Sequence, residues 1–157
     1  MPDHPDGTPV LVSACLLGRT CRYDGRHNRD RVLEDELAQR GERALAFCPE
    51  EHGGLPTPRP PAWIEAQGAA AVLDGEARVL TESGRDVSAE FLAGARGALA
   101  ACKEHGARRA YLKERSPSCG VSCTHVDGRA TSGPGVTAAL LRRAGIEVEG
   151  VEGRREA

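Results

Sequence analysis

Six cysteines occur in this chain, and three of them stand where hydrophobic runs end. Cys15 closes Pro-Val-Leu-Val-Ser-Ala-Cys, Cys48 closes Arg-Ala-Leu-Ala-Phe-Cys, and Cys119 lies in Ser-Pro-Ser-Cys-Gly, six residues after Arg-Ala-Tyr-Leu-Lys. If these runs are neighbouring parallel strands, the three thiols converge on the carboxyl edge of one sheet, where ligands bind in open α/β folds. Three thiolates with no evident fourth partner describe a metal centre that keeps one position open for a substrate.

The neighbouring residues extend that chemistry. Cys48-Pro49-Glu50 puts a carboxylate two positions from a thiol, where it can serve as general acid or base. Ser116 and Ser118 flank Pro117 just before Cys119, and their hydroxyls either bind a polar substrate group or satisfy a tight turn. Lys113, Arg59 and Arg22 can attract an anionic or carbonyl-bearing ligand, or can be ordinary solvated charges. The five histidines are scattered and form no ligand pattern.

Spacing bears on the metal. Zinc sites gather their ligands in close pairs such as Cys-x2-Cys, whereas the short pairs here are Cys15-x5-Cys21 and Cys119-x3-Cys123. A zinc ribbon is therefore disfavoured, and an iron–sulfur cluster tolerates ligands dispersed through the fold. Cys102 falls on the apolar face of a helix and reads as a buried structural thiol. Cys21 and Cys123 each sit in a loop beside a stronger candidate, as fourth ligand, sulfur relay or surface thiol.

The elements that must position these residues follow from periodicity. Strands are expected at 10–15, 43–48, 108–113 and 146–148. Helices are expected at 31–40, with Asp30 as N-cap and Gly41 as stop, at 87–105, where Val87, Phe91, Ala95, Ala98 and Cys102 repeat on one face, and at 135–144. Residues 49–61 hold five prolines and read as a fixed irregular loop. Residues 62–82 read as short strands around an Asp74-Gly75 hairpin turn, and 114–133 as a long loop. Strands alternating with helices predict one α/β domain over 9–152, a mainly parallel, Rossmann-like sheet with helices on both faces. Residues 1–8 and 153–157 are expected to be tails.

Bulk composition narrows the partners. A net charge of −2 over 157 residues signals neither a polyanion nor a membrane surface, and an aromatic content of 3% leaves few rings for a nucleic-acid polymer to stack on. No run approaches the roughly 20 apolar residues of a membrane helix, and the first residues lack the features of a signal peptide. A cytoplasmic protein is expected, monomeric or a small homo-oligomer. In that compartment cysteines serve metals or thiol chemistry more often than structural disulfides.

Several motifs recur together: Ser13-Ala14-Cys15-Leu16-Leu17-Gly18, Cys21-Arg22-Tyr23-Asp24-Gly25, Cys48-Pro49-Glu50 with Gly53-Gly54-Leu55, Pro58-Arg59-x-Pro61, Asp86-Val87-Ser88, Lys113-x-x-Ser116-Pro117-Ser118-Cys119-Gly120, and Gly135-Val136-Thr137-Ala138-Ala139-Leu140-Leu141. In this order, from Val10 to about Val148, they resemble the thiouracil desulfurase (TudS-like desulfidase) family. The resemblance implies a [4Fe–4S] cluster held by Cys15, Cys48 and Cys119, its fourth iron open to the sulfur of a small thiolated pyrimidine base or nucleotide. It implies conversion of C=S to C=O with sulfide release, without redox change. Glu50 would then move the proton, and Ser118, with Ser116 as second choice, would hydrogen-bond the thiobase. Thr131-Ser132-Gly133-Pro134-Gly135, at a helix start, can cradle a phosphate if the substrate is a nucleotide, or can be a plain helix-start loop. One departure is visible: Ala62-Trp63-Ile64 stands where the family often has Ala-Glu-Ile, which leaves the exact substrate open. Two other readings remain at this point. One is a non-catalytic iron–sulfur or zinc module closed by Cys21 or Cys123, and the other is a metal-free thiol enzyme carrying a persulfide.

Overall fold

The computed structural model describes residues 7–157. The chain runs β1 (Thr8–Ser13), a 3-10 turn (Ala14–Leu17), α1 (Arg31–Arg40), β2 (Glu42–Phe47), α2 (Pro49–His52), β3 (Ala62–Ile64), α3 (Gly68–Leu73), β4 (Val79–Thr81), α4 (Ser88–His105), β5 (Arg109–Lys113), β6 (Cys123–Val126), β7 (Arg129–Ser132), α5 (Val136–Arg143) and β8 (Glu147–Val151).

One sheet has the order β2-β1-β5-β8, and every pair in it is parallel. Its central strand β1 is apolar on both faces, as a strand covered by helices must be. Val10 and Val12 pack with Leu33 and Leu37 of α1 and with Tyr111. Leu11, between them, packs on the opposite face with Ala98 and Cys102 of α4 and Ala138 and Leu141 of α5. The expected sheet with helices on both faces is therefore present. Helix α1 begins as anticipated: the Asp30 carboxylate accepts the Leu33 N–H at 2.8 Å, and Gly41 ends the helix with φ of 66°.

The anticipated single sheet lacks a partner that the structure supplies. A second sheet, order β4-β3-β6-β7, pairs antiparallel at β3–β4 and β6–β7 and parallel at β3–β6. Ile64 and Val79 of this sheet pack with Val72 of α3, Phe91 and Ala95 of α4, and Val136 of α5. Helix α4 thus serves both sheets.

Three expectations change in detail. Asp74-Gly75 is no hairpin turn: Asp74 caps the end of α3, because Gly-Ala-Ala-Ala-Val-Leu favours helix strongly through its alanines. The loop expected over 114–133 contains the β6–β7 hairpin instead. Its turn is Asp127-Gly128, with φ of 50° and 77°, the conformation that Asp-Gly accommodates in two-residue hairpins. The tail expected over 1–8 lies outside the described residues up to position 6, and Thr8 already belongs to β1. Residues 153–157 carry no strand or helix, yet they are fastened: Arg155 Nε donates to Asp30 at 2.8 Å, and Arg154 Nε to Asn28 Oδ1 at 3.1 Å.

Candidate metal centre

From β1 the chain reaches β2 on one side, and β5 lies on the other, so the carboxyl ends of β1, β2 and β5 border a switch point of the kind where open α/β sheets bind ligands. Cys15 lies in the 3-10 turn directly after β1. Cys48 is the N-cap of α2, directly after β2. Cys119 lies in the turn after β5 that is closed by the Gly120 N–H to the Ser116 carbonyl at 2.9 Å. All three line one cavity of about 590 Å³, together with Cys21, Glu50 and Ser116.

Cys21 is the residue that spacing alone did not place. It is 3% exposed, its Sγ lies within 4.8 Å of the Cys48 Sγ, and its carbonyl accepts the Cys48 thiol at 3.9 Å. Its interaction with the Cys15 and Cys48 thiols holds the Cys21 thiol far above its ordinary range and lowers the other two. The Cys15 thiol falls to about 7, through the Cys21 thiol first, against burial, and with help from Asn28 and Lys113. Asn28 Nδ2 stands 3.5 Å from Cys15 Sγ, and Arg22 and Arg154 both donate to its Oδ1 at 3.1 Å. Burial pushes the Cys119 thiol up, opposed by the Ser13 hydroxyl. Cys102 is buried within the α4 core, and Cys123 opens β6 outside the residues that line the cavity.

Glu50 lies beside the thiols with its side chain 17% exposed. Desolvation raises its carboxyl above the ordinary range, against the attraction of Arg59 and a hydrogen bond from Ser116. Arg59 donates Nε to Glu50 at 3.2 Å, Nη1 to Thr57 Oγ1 at 2.8 Å and Nη2 to the Cys21 carbonyl at 2.8 Å. It is a buried strut that joins the proline-rich segment to the Cys21 loop. Arg22 pairs with Asp24 at 3.0 Å. Lys113 Nζ donates to the Glu114 carbonyl at 2.8 Å, and burial lowers its pKa.

The two serines separate cleanly. Ser116 Oγ accepts the N–H of Ser118 at 3.1 Å and of Cys119 at 3.0 Å, and it lines the cavity. Ser118 is fully buried, and its hydroxyl pairs with Thr137 Oγ1 at 2.8 Å, away from the cavity. It pins the Cys119 turn to α5, which also donates Val136 N–H to the Pro117 carbonyl and Thr137 N–H to the Ser118 carbonyl, each at 2.9 Å. A Cβ on Gly135 would stand 2.6 Å from both carbonyl oxygens, so only glycine permits this approach. The same bonds occupy the N–H groups that a phosphate would need, so 131–135 form a helix start and not an anion cradle.

Glu114 was not singled out by the sequence. Its buried carboxylate accepts the N–H of Val121 at 2.8 Å and of Ser122 at 3.0 Å, bracing the far side of the Cys119 turn. Asn28, Trp63 and Arg154 also line the cavity without having been assigned to it. Of the three, only the Trp63 departure was visible beforehand.

Four cysteines line the cavity, and His125 is the one imidazole among its lining residues. Soft thiol donors suit iron–sulfur clusters, zinc or copper(I), and not magnesium or calcium. The Cys21 and Cys48 thiols and a Glu51 carboxylate oxygen also lie within 4.8 Å of one another. Fold and site therefore define an α/β protein with a candidate soft-donor metal site at a parallel-sheet edge. The chain belongs to the 2-thiouracil desulfurase family, whose sequence pattern matches residues 10–152. It is 43% identical over 145 residues to the uncharacterized protein YbbK of Bacillus subtilis (strain 168), covering 88% of this chain and 93% of that protein. It is also similar to the solved structure of the [4Fe–4S]-dependent thiouracil desulfidase TudS, at 49% identity and a TM-score of 0.76, covering 91% of this chain and 90% of the other. No helix of the described residues is long and apolar enough to cross a membrane.

Proposed function

We propose that the protein is an enzyme that desulfurates a small thiolated pyrimidine, base or nucleotide, at a [4Fe–4S] cluster held by Cys15, Cys48 and Cys119, in the cytoplasm. The observation that carries this reading is the meeting of these thiols in one cavity with Glu50 and Ser116. Membership of the 2-thiouracil desulfurase family and the likeness to TudS support it. A cluster bound there supplies a thiophilic iron that polarises a C=S group without changing oxidation state.

The chain's own residues then manage protons. Glu50 takes a proton from the water that attacks the ring carbon, and Arg59 keeps the carboxylate in place. Ser116 uses its oxygen lone pairs on two backbone N–H groups, which leaves its own proton to donate toward Glu50. The pair can therefore pass a proton to the departing sulfur. In balance, C=S and water become C=O and hydrogen sulfide, and no electron acceptor is required. Ser116 takes the substrate-side role for which the sequence preferred Ser118, since Ser118 faces Thr137.

Cys21 favours a second reading, a non-catalytic iron–sulfur module, because its thiol lies within 4.8 Å of the Cys48 thiol and lines the same cavity as Cys15. One experiment separates the two. Protein reconstituted anaerobically with iron and sulfide is incubated with 2-thiouracil, 4-thiouracil and 4-thiouridine monophosphate, and sulfide release and the visible spectrum are followed. Turnover with a substrate-dependent spectral change is expected. No sulfide from any of the three, with an unchanged spectrum, overturns the enzyme and favours the module.

A further inference from the structure

The chain has one tryptophan, two tyrosines and two phenylalanines, and three of these five rings line the cavity that holds the thiols. Phe91 and Tyr111 are each 1% exposed and belong to two of the three core clusters. Phe47 leans on His52, with ring centroids 4.9 Å apart. Tyr23 and Trp63 remain. Tyr23, 45% exposed, is the one large hydrophobic side chain left open among the described residues, and it follows the Cys21-Arg22 step at the cavity rim.

Trp63 reaches the cavity through strand geometry. Successive side chains of a strand point to opposite faces. Ile64, fully buried, enters the core under the second sheet, so Trp63 faces the other way, into the cavity. Its Cε3–Cζ3 edge lies 4.0 Å from where a Cβ on Gly128 would stand, so the bare hairpin turn backs the ring. The Arg59 N–H donates to the Tyr23 carbonyl at 2.7 Å, tying the loop that carries one ring to the segment that leads to the other. A flat, braced indole beside a thiol cluster is a surface on which a heteroaromatic ring can stack, an interaction that does not depend on the ring's hydrogen-bonding pattern.

We propose that Trp63 is a specificity-determining residue that stacks on the pyrimidine ring of the substrate and so selects flat heteroaromatic thiocarbonyl compounds. The inference rests on the desulfidase reading above. It assigns Trp63 binding and no part in proton transfer.

The test uses iron-loaded protein with Trp63→Phe, Trp63→Leu and Trp63→Ala, and measures KM and kcat for whichever thiopyrimidine the wild type turns over, together with iron content. Leucine and alanine should raise KM about tenfold or more, with kcat within twofold and iron content unchanged, because base–aromatic stacking is lost. Phenylalanine should keep KM within about threefold. A leucine variant with wild-type KM overturns the proposal, since apolar bulk alone would then suffice, and so does a phenylalanine variant as weak as leucine. Emission from the single tryptophan should fall as the thiopyrimidine is titrated in, after correction for its absorbance, with half-effect near KM, and unaltered emission also overturns it. Absence of turnover by the wild type would instead remove the desulfidase reading itself.

Discussion

The parallel sheet meets the cavity with the ends of its strands, whereas the mixed sheet meets it with a face. Ends deliver loops, so Cys15, Cys48 and Cys119 converge although they lie far apart in sequence. A face delivers alternate side chains at fixed spacing, so Trp63 points into the cavity while Ile64 points into the core. The first arrangement suits a cage of converging donors, and the second suits a flat wall. Damage at strand ends should therefore remove the metal, and damage on the mixed sheet should weaken only substrate binding.

The largest effect tests the strand ends. Replacing Cys15, Cys48 or Cys119 by Ala should abolish iron and sulfide loading on reconstitution, read by chemical analysis and the visible spectrum. Cys102→Ala, in the core of the same sheet, should load normally and cost on the order of 1 kcal/mol in stability. Normal loading of Cys48→Ala would break the comparison, because it would show that Cys21 and Glu51 can replace a strand-end donor.

Next in size is the proton carrier. Glu50→Gln should load iron fully and lower sulfide release by about 10²- to 10⁴-fold. Burial raises the Glu50 carboxyl above its ordinary range, and its proposed role requires the ionised form. Wild-type rate should therefore rise with pH through a midpoint above that range and fall away below it. A flat profile in that region would remove Glu50 from the proton path.

The serines sharpen the boundary between site and scaffold. Ser118→Ala strands the buried Thr137 hydroxyl and should lower stability by about 1–3 kcal/mol with kcat retained, by denaturant melts and steady-state rates. Ser116→Ala should lower kcat. The smallest effect belongs to β7, exposed along its length. Thr131→Ala should leave KM for 4-thiouridine monophosphate within twofold and stability within about 0.5 kcal/mol. A large rise in KM would restore the phosphate cradle that the α5 hydrogen bonds occupy.

What could be read from the chain follows the same division. Apolar runs and helix caps report local periodicity, so β1, α1 and α4 and the strand-end positions of three cysteines were legible. Asp74-Gly75 and Asp127-Gly128 are the same dipeptide in different roles, one ending α3 and the other turning a hairpin. Tertiary packing and the flanking alanines decide between them, which is why the short strands expected within 62–82 were legible as β3 and β4 but the β6–β7 half of the second sheet was not. Cys21 and the split between Ser116 and Ser118 depend on which way loop side chains point, a property with no periodic signature. Asn28 and Arg154 were illegible because their link joins residues 126 positions apart.

That link carries a consequence for biosynthesis. Arg154 secures Asn28, 126 positions away, and Asn28 reaches Cys15, so the pocket is assembled from residues translated far apart in time. At about 5–20 residues per second, Cys15 waits on the order of ten seconds for its distal support. The nascent chain meanwhile presents unpaired, oxidisable thiols without the cage that will shelter them. Iron delivery during translation would meet a partial set of donors, and delivery after release would meet the finished pocket.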